Sequence, residues 1–136
     1  MDEQRLLTIR ALCDRLGFHT GCGFRVDDIN DGKVQVSMDV TPEVQNANGT
    51  LHGGAIATLV DHAGTIAIMI ADRNGRPGVT TDLNVSYLAA GLGGSTVIAK
   101  AQALKIGAFM AYVTVDVRRT DGTLIAQGRM TKFQGR

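Results

Sequence analysis

From Lys33 to Val40 the chain alternates strictly. Val34, Val36, Met38 and Val40 fall on one face, and Lys33, Gln35, Ser37 and Asp39 on the other. Period two predicts a strand with one buried face. A weaker strand over Phe24 to Ile29 precedes it, joined through Asn30, Asp31 and Gly32, a hairpin signal. Further along, Val79 to Leu88 places Leu83, Val85 and Tyr87 on one face, and Ser95 to Lys105 alternates less cleanly. Phe109 to Arg118 sets Phe109, Ala111, Val113, Val115 and Val117 opposite Met110, Tyr112, Thr114, Asp116 and Arg118, and Leu124 to Phe133 is the final run. Turn signals at Gly91 to Gly94, Ile106 to Ala108 and Thr120 to Gly122 separate these strands.

Two segments carry a helical period instead. Leu6, Ile9, Leu12 and Leu16 predict an amphipathic helix from about Glu3 to Leu16, with Gly17 as its stop. Gly53 to Ala71, GGAIATLVDHAGTIAIMIA, is apolar on nearly every side and ends at Asp72, Arg73, Asn74 and Gly75. Its length approaches a membrane span. Asp61 and His62 at its middle argue against that reading, because charge is most costly there in lipid. A helix wrapped by the rest of a globular domain has the same pattern. Thr41 to Leu51, rich in Asn, Pro and Gly, reads as the loop before it.

The order is helix, two strands, long buried helix, four strands. Short turns between consecutive strands make the sheet antiparallel. About six strands can hide such a helix only by curling around it, and one side stays uncovered. A second copy is the simplest cover, so the pattern predicts a dimer. The fold class is thus α+β. With no break in composition, residues 1–136 read as a single domain.

Composition narrows the function. Fourteen Lys and Arg against 13 Asp and Glu give a formal charge of +1, which argues against a nucleic-acid-coating surface or a polybasic membrane anchor. The N-terminal MDEQRLLTIR lacks the apolar core of a signal peptide and the acid-poor character of a transit peptide, so a cytoplasmic setting is expected. Two cysteines, Cys13 and Cys22, form no CxxC pair, and with His19, His52 and His62 their spacing assembles no zinc cluster, so no metal site is expected. Two reduced thiols are the simpler reading.

The chemistry concentrates in Asn46 to Asp61, NANGTLHGGAIATLVD. His52, Gly53 and Gly54 stand at the start of the buried helix, where backbone N–H groups lack partners and the dipole is positive. The glycines leave that start unshielded, and a carbonyl oxygen gaining charge in acyl transfer would be stabilised there. Asp61 is a carboxylate on an otherwise apolar helix, a candidate base or nucleophile. Each residue also has a plainer reading: a tight turn with a capping His, a satisfied core carboxylate, a turn Asn.

NANGTLHGG, the Asp at position 61, the later GVTTDLNVSYL and the closing LIAQGRMTK together resemble the hotdog-fold acyl-CoA thioesterases of the PaaI-like, phenylacetate-pathway branch and their small mammalian relatives. The resemblance runs from roughly Gly21 to Phe133. It implies a long helix held in a curled antiparallel sheet, acyl-CoA as substrate, no cofactor, and a homodimer, itself paired into a tetramer, with active sites shared between subunits. It implies that the Gly53 N–H polarises the thioester carbonyl and that Asn46 binds that carbonyl or the water. His52 would support them, Asp61 would act as base or nucleophile, and Thr80 would hold the water. Gly54, Thr81, Arg129 and Lys132 would contact substrate, with Arg118, Arg119 and Lys105 also available for CoA phosphates. His62, directly after Asp61, points about 100° away from it and reads as packed or at the subunit contact.

Three other functions fit a fold of this kind. A 3-hydroxyacyl thioester dehydratase or hydratase would pair a His with a carboxylate. A non-catalytic acyl-CoA-binding regulator would carry an added helix-turn-helix, for which the N-terminal segment is too short. A purely structural dimerisation domain would need no carboxylate in an apolar helix.

Overall fold

The computed structural model describes residues 3–135. Among the described residues three α-helices, α1 (Glu3–Asp14), α2 (Gly17–Cys22) and α3 (Gly53–Ala71), and one short 3-10 helix (Pro42–Val44) accompany six strands. The strands are β1 (Phe24–Asn30), β2 (Lys33–Asp39), β3 (Val79–Tyr87), β4 (Thr96–Ile106), β5 (Met110–Arg119) and β6 (Leu124–Phe133). They form one sheet in the order β1-β2-β4-β5-β6-β3, with every neighbouring pair antiparallel. The β1–β2 hairpin turns through Asp31 (φ 46°) and Gly32 (φ 76°), the two positive φ values that match the twist of the flanking strands.

The sheet curls about α3, which packs chiefly on β4, β5 and β2 and only lightly on β3. The alternation of β2 and β5 explains this: Val34, Val36, Met38, Ala111, Val113, Val115 and Val117 are all buried against it. Close approach also requires missing side chains. A Cβ on Gly64 would strike Met130 and Val113, and one on Gly128 would strike Val60.

The structure departs from the pattern in several places. Leu16 is 49% exposed, because α1 ends at Asp14 and Cys13 takes the buried position beside Leu6 and Ile9. Gly17 does not simply stop α1; it opens α2, which ends at Gly23 in the left-handed conformation (φ 73°). Phe109 is 53% exposed rather than buried with Ala111, because the Gly107–Met110 turn precedes the β5 ladder and leaves its side chain outside. Tyr87, on the same face as Leu83 and Val85, is 54% exposed, because β3 is an edge strand that α3 barely covers.

The end of α3 is fixed electrostatically. Asp72 is 2% exposed, and its carboxylate accepts from the Asn74 N–H (3.1 Å), the Arg76 N–H (2.9 Å) and the Arg76 guanidinium (2.9 Å). Hydrogen bonding from Arg76 is the main cause that lowers its pKa from 3.8 to about 2. A depressed carboxylate stabilises the fold above its unfolded pKa and loses that effect as the pH falls through the folded one. Asp72→Asn is expected to cost about 1–3 kcal/mol at neutral pH. In urea titrations the gap from wild type should narrow as the pH falls from 3.8 to about 2. A gap that is constant over that interval would contradict the assignment.

Candidate active site

The segment before α3 is a small closed loop. Gln45 and Leu51 form an antiparallel bridge, and the Asn46 side chain fills the turn between them. Asn46 Oδ1 accepts from the N–H groups of Asn48 (3.0 Å) and Thr50 (3.1 Å), and its Nδ2 donates to Thr50 Oγ1 (2.9 Å). Asn46 therefore shapes the loop that delivers His52. The Leu51 N–H reaches the Gly91 carbonyl and the His52 N–H reaches the Val44 carbonyl, both at 2.8 Å, which anchors the entry to the helix.

At the start of α3 the donors are nearly all used. His52 is the N-cap, and its Nδ1 accepts from the Gly54 N–H at 2.8 Å. The Ala55 and Ile56 N–H groups both donate to the His52 carbonyl, at 2.9 and 3.0 Å. Among the described residues this leaves the Gly53 N–H as the unengaged donor of the first turn. The sequence suggested that both glycines open the helix start; the cap reserves that role for Gly53. With Nδ1 accepting, a neutral His52 ring carries its proton on Nε2. The Gly53 carbonyl is held from the other side by the Tyr87 hydroxyl at 2.9 Å, a contact the alternation of β3 places on the correct face but does not identify.

Asp61 lies two turns further on, about 12 Å along the axis from Gly53 at 1.5 Å per residue. It is half-buried, and its Oδ1 accepts from the Thr80 hydroxyl at 2.8 Å. A bulge in β3 makes that contact. Leu83, Val85 and Tyr87 share the face towards α3, and strict alternation would turn Thr80 the opposite way. The register slips between Thr80 and Asp82 against β6, so Thr81 is the extra residue and Thr80 swings back towards the helix. Thr81 itself only donates to the Thr131 carbonyl, at 3.2 Å. Thr80→Val removes a hydrogen bond to a charged acceptor, worth about 1.5–3 kcal/mol. If Asp61 is a catalytic group, its turnover should fall by roughly 10- to 100-fold. Thr80→Ser should restore most of it. Equal turnover in Thr80→Val and wild type would remove Thr80 from the site.

Lys132 and Thr65 form a part of this site that spacing did not reveal. Lys132 is 4% exposed, and its Nζ donates to Thr65 Oγ1 at 2.7 Å, while Thr65 Oγ1 donates to the Asp61 carbonyl at 2.7 Å. Burial lowers the Lys132 pKa, and the Asp61 charge acts in the opposite sense. The resemblance placed Lys132 among the substrate contacts; its amine is directed inwards, to the Thr65 hydroxyl beneath Asp61. Arg129 is exposed on the outer face, in a cleft with Asp82, Asn84, Leu104 and Tyr112. Arg118 and Arg119 pair with Asp116 (3.9 Å) and Asp121 (3.2 Å), and Lys105 is exposed near the end of α3.

Gly54, Thr58, Asp61 and Thr65 recur at helical spacing and form one incompletely buried polar stripe on α3. His62 turns away from it, as its position next to Asp61 implies. Its ring stacks on Phe24 (centroids 4.7 Å apart), and its Nε2 lies 2.7 Å from His19 Nδ1. Burial, helped by the neighbouring His19, lowers the His62 pKa to about 4. Among the described residues neither His52 nor His62 hydrogen-bonds the Asp61 side chain within the chain.

The thioesterase superfamily matches residues 48–126, which include the start of α3, Asp61 and Thr80. Human acyl-coenzyme A thioesterase 13 is 45% identical over 105 residues, which is 76% of this chain and 74% of that protein. The crystal structure of zebrafish thioesterase superfamily member 2 superposes with a TM-score of 0.87 at 39% identity, covering 98% of this chain and 97% of that one. The Escherichia coli PaaI protein shares the fold at a TM-score of 0.86 with 20% identity, covering 96% and 92% of the two chains. The curled sheet around one long helix is thus the hotdog architecture that the resemblance implied.

Proposed function

The chain belongs to the thioesterase superfamily, and on that premise we propose that it hydrolyses acyl-CoA thioesters to a free carboxylic acid and CoA. The observation that carries the reading is the Asp61 carboxylate, held by the Thr80 hydroxyl at 2.8 Å on an otherwise apolar helix. Asp61 removes the proton from a water as its oxygen attacks the thioester carbonyl carbon. The Gly53 N–H stabilises the oxyanion that forms. Collapse breaks the C–S bond, and the leaving thiolate takes the proton held by Asp61 to give the CoA thiol and restore the carboxylate. Asn46 and His52 act through the loop and cap that set the direction of the Gly53 N–H. Thr65 and Lys132 support Asp61 from beneath.

A base and a carbonyl donor must both lie about 3 Å from the reacting atoms. An axial gap of about 12 Å within one helix does not meet that requirement. Two α3 helices packed antiparallel about a two-fold axis would bring Asp61 of one chain to Gly53 of the other. The uncovered polar stripe of α3 and the free edge of β3, with Val79, Tyr87 and Leu88 exposed, support such a dimer. The active site is then composite, two per dimer, and dimers pair further into a tetramer. Arg129, exposed in its cleft, is a CoA phosphate contact, and the setting is cytoplasmic.

The test is hydrolysis of a panel of aromatic and aliphatic acyl-CoA thioesters, followed by thiol release. Turnover of at least one class, lowered by about 10²-fold or more in Asp61→Asn, is the expected result. A folded protein inert towards the whole panel would contradict the proposal.

A further inference from the structure

The fold gathers three side chains that sequence spacing leaves apart. Cys13 comes from α1, His19 from α2 and His62 from α3, and one ligand atom from each lies within 4.8 Å of the others. The cysteine and His19 are buried and His62 is half-buried. The two imidazole nitrogens that meet, His19 Nδ1 and His62 Nε2, are 2.7 Å apart. From these positions we propose that Cys13, His19 and His62 form a binding site for a borderline-soft divalent cation, zinc above all.

The donor set fits that ion. One thiolate and two imidazoles make the three-protein-ligand arrangement of tetrahedral zinc, with a fourth position left for water. Metal–nitrogen bonds of 2.0–2.1 Å put tetrahedral nitrogens roughly 3.3 Å apart, so the rings must separate by about half an ångström. Two neutral histidines joined through one proton can do so if the donor ring moves that proton to its other nitrogen. The net step is metal–sulfur bond formation with loss of one proton from Cys13, which balances the charge. The Phe24 ring packs on both imidazoles, its centroid 5.6 Å from that of His19 and 4.7 Å from that of His62. An ion has a route in, because a surface cleft lined by Asp14, His19, Thr20, Cys22 and Phe24 opens beside the cluster.

Such an ion would clamp α1 and α2 to α3 at the residue after Asp61. The proposal stands or falls independently of thioester hydrolysis.

The test uses the full chain, stripped with a chelator and desalted, and Co(II) as the probe. One equivalent per chain should give a sulfur-to-cobalt charge-transfer band and the intense visible bands of a tetrahedral site. Zn(II) should displace it and raise the melting temperature. Cys13→Ser should abolish the charge-transfer band. His62→Gln should weaken binding by more than the roughly 10- to 100-fold that loss of an outer contact costs. Cys22→Ser should bind as wild type does. Absence of the band in wild type, its persistence in Cys13→Ser, or its loss in Cys22→Ser would each overturn the proposal. Circular dichroism checks the variants, and the wild-type titration decides if a variant is unfolded.

Discussion

Replacing Asp61 by Asn should lower kcat for acyl-CoA hydrolysis by about 10²- to 10⁴-fold, the usual loss when a positioned base is removed. The substitution preserves shape, and its Oδ1 can still accept from Thr80. Asp61 is only half-buried, and the contacts that seat α3 come from residues such as Leu59, Val60 and Ala63 on its other faces. Folding and association should therefore survive. KM should change little, since the proposed role of the carboxylate is on water rather than on the bound acyl chain. Wild-type turnover in a folded Asp61→Asn protein would exclude Asp61 as base or nucleophile.

The second large effect is expected at Gly53, where the backbone acts and the side chain is absent. A Cβ there would meet the Tyr87 ring at 3.5 to 3.7 Å, an ordinary contact, so Gly53→Ala should be nearly neutral. Gly53→Pro deletes the N–H. Proline is tolerated at a first helical position, and His52 before it already has φ −61° and ψ 136°, the extended conformation that precedes proline readily. Deleting one oxyanion donor costs roughly 10²- to 10³-fold in kcat. The comparison that matters is Pro against Ala in proteins of equal stability. Matching rates would place the oxyanion elsewhere.

Much of this architecture is legible in the sequence because it is written in local periods. The strict alternation of Val34 to Val40 and Ala111 to Val117 needs no tertiary information, and the apolar run of α3 announces burial on nearly all sides. What stays hidden depends on register or on distant chain. The bulge that presents Thr80 leaves no mark in the composition of GVTTDLNVSYL. Lys132 looks like any strand-end lysine until the sheet curls and buries its amine under Thr65. Asn46 and His52 are recognisable by resemblance, yet their observed contacts are those of a turn and a cap. Cys13, His19 and His62 meet only because α2 forms where Gly17 suggested an end.

The central claim is that each site draws Gly53 from one chain and Asp61 from the other, and mixing inactive chains tests it. Gly53→Pro and Asp61→Asn are unfolded together in equal amounts and refolded. Random pairing makes about half of the dimers mixed, and each mixed dimer has one site carrying both lesions and one carrying neither. Activity should recover to about a quarter of wild type if sites act independently. If Gly53 and Asp61 of the same chain served one site, every site would keep a lesion. Mixed dimers verified by mass spectrometry that remain as inactive as their parents would contradict the shared site.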